Sequence, residues 1–252
     1  MAGELPIMPT TGAVTTADPD AHRSPFSHDD EDAEPGYYRV GLSRYRTEAE
    51  LTATARTGWQ RYTFPATGAA NVLFNTGRAN QSVFDSEIHV VGDRTVEGRV
   101  HAGNFCAGKD DHTVYFSAVF DRPFAATGTW RGSALAPGGR DASGSGGNGA
   151  WVTFDASEDR DVVVKVGLSY TGAAGARQNL AAETGDSFDF DATRAALRAT
   201  WAGELNRITV GGGPVERRQV FATALYHSLL HPNLAGDVDG RYTGFDLSLI
   251  HI

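Results

Sequence analysis

Between Tyr37 and Tyr170 the chain is a succession of short runs in which β-branched and aromatic residues alternate with polar ones. That pattern narrows the choice of fold more than any other feature. Tyr37–Ser43, Glu50–Arg56, Trp59–Phe64, Asn71–Asn75, Ser86–Val91, Thr95–Ala102, Thr113–Phe120, Ala150–Asp155 and Asp161–Tyr170 each have the length and period of a strand. Thr57-Gly58, Gly92-Asp93 and Asp121-Arg122-Pro123 punctuate them as turns. Short strands at such regular spacing predict an antiparallel β-sandwich whose two inner faces supply one core. Thirty glycines and thirteen phenylalanines against two methionines suit many turns and aromatic strand faces better than a bundle of long helices. From Arg131 to Ala150 the sequence RGSALAPGGRDASGSGGNGA offers almost nothing to bury, so an exposed, mobile loop joining two strands is expected there.

After Gly175 the period changes. Leu197, Trp201, Leu205 and Ile208 fall on one helical face. A second helix is announced by Gly213-Pro214 with Glu216 in its first turn; it runs through Phe221, Leu225 and Leu229 and should stop at His231-Pro232. One passage from sheet to helix marks a β domain followed by the beginning of an α domain. The opening Leu5-Pro6-Ile7-Met8-Pro9 reads as an interior connection, and the first residues lack the basic and apolar regions of a signal peptide. No stretch approaches the ~20 apolar residues of a membrane span, so no membrane partner is expected.

With 40% hydrophobic and 21% charged residues over 252 positions, the chain has enough apolar material for a buried core. Its formal charge of −9 argues against a phosphate-neutralising surface, so nucleic acid is not an expected partner. The single cysteine, Cys106, excludes an internal disulfide and a thiolate metal cluster.

Candidate chemistry is sparse. Asp29-Asp30-Glu31-Asp32 with Glu34, beside Pro35-Gly36, reads as a solvated acidic loop in which His28 bonds to backbone. Asp237-Val238-Asp239-Gly240 fails as an EF-hand, because its glycine follows the second aspartate directly instead of standing at the sixth loop position. What remains is a turn with two carboxylates, followed by Tyr242, Gly244, Phe245 and Asp246. Rings interleaved with carboxylates suit a sugar, whose CH face stacks while its hydroxyls donate; a plain helix-capping turn is the alternative. Asp237, Asp239, Tyr242 and Asp246 are therefore the candidate substrate-binding residues, and no catalytic or metal-ligating residue is assigned. An enzyme using Asp237 and Asp239 as its own acid–base pair is disfavoured, since neighbours in a turn cannot readily flank a sugar bond on opposite faces. His89, His101 and His112 lack metal-site spacing, and Gly211-Gly212-Gly213-Pro214 lacks the lysine of a phosphate loop. Trp59 and Trp151 are expected in the core. Cys106, between Phe105 and Ala107 with no basic residue closer than Lys109, is not expected to be a catalytic thiolate.

FSHDDEDAEPGYYRVGL (Phe26 to Leu42), ELTATARTGWQRYTFP (Glu50 to Pro65), WAGELNRITV (Trp201 to Val210) and FATALYHSLLHPNLAGDVDGRYTGFD (Phe221 to Asp246) occur in this order. Together they resemble glycoside hydrolase family 92, the calcium-dependent exo-acting α-mannosidases. The resemblance implies a mainly β chain with an α tail: an N-terminal, supersandwich-like β-sandwich domain over residues 1–172, a helical connector over 173–213, and over 214–246 the start of a truncated α/α-barrel catalytic domain. It further implies a fragment at both ends. The family's glycine-rich opening block would precede Glu4, and the catalytic glutamate, the water-activating aspartates and the calcium ligands would lie beyond Asp246, so the fragment itself should be inactive. For the parent protein it implies inverting hydrolysis of terminal α-mannose, commonly α-1,2-linked, on high-mannose glycans. The implied partners are a mannose-terminated oligosaccharide or glycoprotein glycan and the chain's own missing catalytic domain; the implied location is secreted or periplasmic in a bacterium. Residues 247–252, Leu247 to Ile252, depart from the family pattern and match what CTG TCT CTT ATA CAC ATC encodes, the end of a transposon-based sequencing adapter, so read-through is expected there. A stand-alone carbohydrate-binding β-sandwich with a helical tail is the competing expectation.

Overall fold

In the computed structural model, which describes residues 3–108, 110–231, 233–244 and 246–251, the alternating runs become strands. In chain order these are β1 (Ile7–Thr11), β2 (Glu31–Glu34), β3 (Tyr37–Leu42), β4 (Thr47–Ala53), β5 (Thr57–Thr63), β6 (Ala70–Asn75) and β7 (Ser82–Val91). There follow β8 (Thr95–Gly103), β9 (His112–Phe120), β10 (Ala126–Arg131), β11 (Ala134–Pro137), β12 (Asp141–Gly144), β13 (Asn148–Phe154) and β14 (Asp161–Ser169). Helices α1 (Ala173–Thr184), α2 (Phe190–Leu205) and α3 (Val215–Ser228) come next, and a small hairpin of β15 (Arg241–Thr243) and β16 (Leu249–His251) ends the described chain. The strands form a five-stranded sheet, β1-β6-β13-β10-β11, and a nine-stranded sheet, β12-β7-β8-β9-β14-β5-β4-β3-β2. Among the described residues every ladder is antiparallel.

The alternation explains the packing. Val72, Phe74, Val152 and Phe154 of the smaller sheet meet Phe116, Phe120, Val162 and Val164 of the larger in one buried cluster. This is the core of a β-sandwich. The intervening residues Leu73 and Trp151 point to the opposite face of the smaller sheet, where Trp130 and Ala17 cover them. β6 and β13 are therefore buried on both sides, which is why Asn71–Asn75 reads as a nearly continuous apolar run.

The outer face of the larger sheet carries α1 and α2. α1 can lie flat on β14 because Gly167 has no side chain: a Cβ there would stand 2.5 Å from the Ala176 carbonyl oxygen and 2.6 Å from Leu180 Cβ. The link between α1 and α2 is fastened from below by Lys165, whose ammonium donates to the carbonyls of Gly185 at 2.8 Å and Ser187 at 2.9 Å. Burial lowers the Lys165 pKa from its ordinary value, and the rings of Phe188 and Trp59 flank the charge.

The start of α2 is latched to the sheet by charge. Arg61 reaches both oxygens of Glu50, at 2.6 and 2.9 Å, and also Asp191 at 2.9 Å, while the Tyr37 hydroxyl donates to Glu50 at 2.8 Å. Burial pushes the Glu50 carboxyl up, but the hydrogen bonds from Arg61 and Tyr37 outweigh it and hold the group below the usual carboxylate range. Asp191 is lowered by the same Arg61. A depressed folded-state pKa means that the unfolded chain takes up the proton first, so the stabilisation is complete above the ordinary carboxylate range and is lost as pH falls through the folded-state value. Unfolding midpoints in urea should therefore fall between about pH 7 and about pH 3. Glu50→Gln should be less stable at neutral pH and show a flatter profile; identical slopes in the two proteins would refute the assignment.

Several expectations are corrected. The glycine-rich 131–150 segment is not a loop throughout: β11 edges the smaller sheet, β12 edges the larger one, and the segment closes one side of the sandwich. Edge pairing uses backbone groups alone, so poverty in apolar side chains does not prevent it. The acidic run contributes the edge strand β2, and Leu5–Pro9 leads into β1 instead of a plain connection. The turn expected at Thr57-Gly58 falls just before Thr57, where Thr54 N–H donates to the Thr57 carbonyl. α2 ends at Leu205, leaving Ile208 exposed beyond it, and α3 ends at Ser228, ahead of His231; Pro232 lies outside the described residues. Trp59 and Trp151 are buried as expected, at 2% and 6% exposure.

Candidate functional site

The Asp237 turn folds locally by two backbone bonds: Asp237 N–H donates to the Arg241 carbonyl at 2.8 Å, and Gly240 N–H donates to the Asp237 carbonyl at 3.0 Å. Its position comes from far away in sequence. Asp237 is buried at 3% exposure. Its Oδ1 accepts from Asn179 Nδ2 of α1 at 2.7 Å, and its Oδ2 accepts from the Ser169 hydroxyl at the end of β14 at 2.9 Å and from the Thr171 hydroxyl. Gly175 leaves room for this clasp; a Cβ there would lie 2.3 Å from Asp237 Oδ2. Alongside, Arg56 of the β4–β5 turn donates from Nε to the Gly236 carbonyl at 2.7 Å and pairs with Glu183 of α1 at 3.1 Å. Thr243 donates to the Tyr170 carbonyl at 2.9 Å. None of these contacts uses residues 247–252.

The four candidate residues thus differ in placement. The expectation that Asp237 faces a sugar meets an inward-turned carboxylate, both of whose oxygens are occupied by protein donors. Asp239 is half-buried and bonded to Arg241 Nε at 2.7 Å. Partial burial pushes its carboxyl up, but the backbone N–H and guanidinium of Arg241 prevail and hold it below the usual range. Tyr242 is half-buried on β15, beside Arg241. Asp246 is exposed and lowered by hydrogen bonds from the Ser248 hydroxyl, at 2.6 Å, and amide. Phe245 lies outside the described residues.

Elsewhere, the histidines have separate partners. His89 Nδ1 stands 2.7 Å from Asp141 and His101 Nδ1 3.0 Å from Asp85, while His112 Nδ1 donates to the Asp110 carbonyl at 2.8 Å. His28 meets Glu31, and Glu31 also accepts from Tyr38. Cys106 is exposed, and Lys109 lies outside the described residues. A cavity of about 610 Å³ lies between the β4–β5 turn and α2, and one of about 430 Å³ lies on the outer face of the smaller sheet; the Asp237 turn lines neither. Among the described residues no three His, Cys, Asp or Glu side chains converge to hold a metal. No described helix is long and apolar enough to cross a membrane.

Sequence reasoning located the turn but missed Ser169, Thr171, Asn179 and Arg56, which hold it. An asparagine on the same helical face as Gly175, Ala176 and Leu180 was the available signal, since a polar side chain on a small-residue face needs a buried partner.

The glycosyl hydrolase family 92 N-terminal domain model matches residues 1–169, and the family 92 catalytic domain model matches residues 175–251, a span that takes in most of the tail from Leu247. A search of curated proteins finds no match. Among solved structures, the family GH92 alpha-mannosidase BT3965 from Bacteroides thetaiotaomicron superposes with a TM-score of 0.90 at 28% identity, covering 100% of this chain and 35% of that one. The same enzyme in complex with mannoimidazole gives 0.89. The GH92 family glycosyl hydrolase ccman5 gives 0.88 at 30% identity, covering 98% of this chain and 35% of its own. BT2199 from the same Bacteroides species, an inverting mannosidase, is alike in fold at 23% identity, with a TM-score of 0.82 over 98% of this chain and 32% of that one. The chain spans about a third of the length of these structures. With a β-sandwich under the first family model and the helices and Asp237 turn under the second, the chain belongs to glycosyl hydrolase family 92.

Proposed function

We propose that this chain is the N-terminal portion of an inverting exo-α-mannosidase that removes terminal mannose, α-1,2-linked by preference, from high-mannose glycans outside the bacterial cytoplasm. In this reading residues 1–172 are the sandwich, 173–213 the connector and 214–246 the first part of the catalytic domain. The observation that carries it is the extent of the likeness: BT3965, solved with mannoimidazole, covers 100% of this chain, catalytic-domain turn included. Inversion needs an acid and a base roughly 6.5–9.5 Å apart on opposite faces of the sugar ring. Asp237 is sealed by its donors and Asp239 is engaged by Arg241, so the acid, the base and the calcium ligands are assigned to residues other than those described. This chain contributes one wall of the pocket. The Tyr242 ring lies along a CH face, Asp239 and Asp246 accept sugar hydroxyls, and Asp237 supports the turn from beneath.

Exposure of apolar side chains favours this over a self-sufficient binding module. Val215, Val220, Leu229, Leu230 and Leu234 are 50%, 69%, 40%, 43% and 55% exposed, and α3 buries no residue. A compact module would cover such side chains; the remainder of a catalytic domain supplies the cover.

Incubated with α-1,2-mannobiose, the purified chain should release no mannose above the blank, with or without added calcium. Mannose-terminated oligosaccharides, unlike galactose-terminated ones, should shift the Tyr242 resonances. Calcium-dependent release by this chain alone would overturn the assignment of the catalytic groups elsewhere, and an unresponsive Tyr242 would remove the sugar from the turn.

A further inference from the structure

We infer that Asn179 is a positioning residue for the Asp237 turn and the hairpin strand that follows it, which carry Asp239 and Tyr242, making the end of the sandwich the support from which those groups are presented. The inference rests on the reading of that hairpin as sugar-facing, and its own content is mechanical. Asn179 is 1% exposed, and both sides of its carboxamide are used. Nδ2 donates to the Leu168 carbonyl on β14 at 2.8 Å and to Asp237 Oδ1 at 2.7 Å, while Oδ1 accepts the Val238 N–H at 2.9 Å. A flipped amide would set its oxygen against a carbonyl and a carboxylate and its NH2 against an N–H, so one orientation alone satisfies the site. One side chain thereby joins a sandwich strand, through α1, to two successive residues of the turn.

The Asp237 carboxylate makes this joint specific. Its direct donors are all neutral: Asn179, Ser169 and Thr171. The guanidinium in the same network, Arg56, is spent on the Gly236 carbonyl and Glu183. A buried carboxyl group held by neutral dipoles depends on their geometry, because no charged partner is there to tolerate a shift. Thr243, bonded to the Tyr170 carbonyl, fixes the other end of the same stretch. Asp239 and Tyr242 sit between two anchors on the sandwich and α1, and neither anchor belongs to α3.

Amide hydrogen exchange on the full 252-residue chain tests this. Asn179→Leu, matching the side chain in number and branching of heavy atoms and favourable in a helix, should speed exchange at Val238 and Gly240 at least about tenfold while amides in β5, β9 and β14 stay within about twofold. Asp237→Asn should keep most of the protection, since its amide can accept from Asn179 and donate to the Ser169 and Thr171 hydroxyls. Thr243→Val, isosteric and away from the core, should loosen Tyr242 in the same selective way. Unchanged exchange in the turn of Asn179→Leu, or a loss spread evenly over the sheet, would overturn the inference; in the second case Asn179 is only a packing residue. Mannobiose titration separates the two layers. A wild-type chain in which Tyr242 ignores mannobiose, with exchange behaving as expected, ends the sugar reading and leaves the positioning role standing. A Tyr242 response whose affinity is the same in Asn179→Leu as in wild type ends the positioning role and leaves the sugar reading standing. About a tenfold weaker response in Asn179→Leu is the expected result, because a loosened wall must be reordered before it can bind.

Discussion

Phe120→Ala is expected to remove about 3–5 kcal/mol of unfolding free energy, read as a lower midpoint in guanidinium with little change of slope. Phe120 is fully buried and belongs to β9 of the larger sheet, yet two of its three ring neighbours lie across the sandwich. It meets Phe74 edge-on at 6.1 Å, Phe154 at 5.1 Å and Phe124 of the β9–β10 turn at 5.4 Å. Truncation removes apolar area and leaves a void that neither sheet can close without shifting against its hydrogen-bonded neighbours. Phe26→Ala and Phe105→Ala are the controls. Both rings are 52% exposed, so each should cost no more than about 0.5 kcal/mol. Equal losses at Phe120 and Phe105 would mean that the sandwich interior is not where the stability resides.

Gly167→Ala should destabilise by about 1–3 kcal/mol, although a glycine within a strand is ordinarily worse than alanine by about 0.5–1 kcal/mol. The sign is the diagnostic. The added methyl would fall against the backbone oxygen of Ala176 and Cβ of Leu180, so α1 must lift from β14. Lifting α1 also disturbs the Asn179 joint and the Lys165 fastening. Gly58→Ala, on β5 with nothing within 4 Å of the added atom, is the matched control and should be neutral or mildly stabilising. A Gly167→Ala protein as stable as Gly58→Ala would show that α1 does not pack as described.

What could be read from the sequence divides along physical lines. Strands buried on one face announce themselves by alternation, and β5, β8 and β9 lie where the pattern placed them; β14, buried on both faces, is marked by its run of valines instead. β1, β2, β11 and β12 are short edge strands made by backbone pairing, β2 and β11 to the adjacent strand and β1 and β12 to one distant in sequence, and none is long enough for a local period to report it. α1 shows no period of its own for a related reason, and only the family resemblance, through its helical connector over 173–213, pointed to helix there. Its buried face is Gly175, Ala176, Asn179 and Leu180, and small residues carry little hydrophobic periodicity even where they pack closest. The turn at Asp237 stood out by its carboxylates and tyrosine, but its inward orientation was not legible, because the three donors that claim the carboxylate lie 58 to 68 residues away along the chain.

The clasp holds Asp237 and Arg61 holds the start of α2, so the stretch from the end of α2 to Gly236 is a tether pinned at both ends. Lengthening such a tether costs only about 0.6 kcal/mol for each doubling, since closure entropy grows with the logarithm of length. Residues inserted around Gly211–Gly213, between α2 and α3, are therefore expected to leave the turn where the clasp holds it.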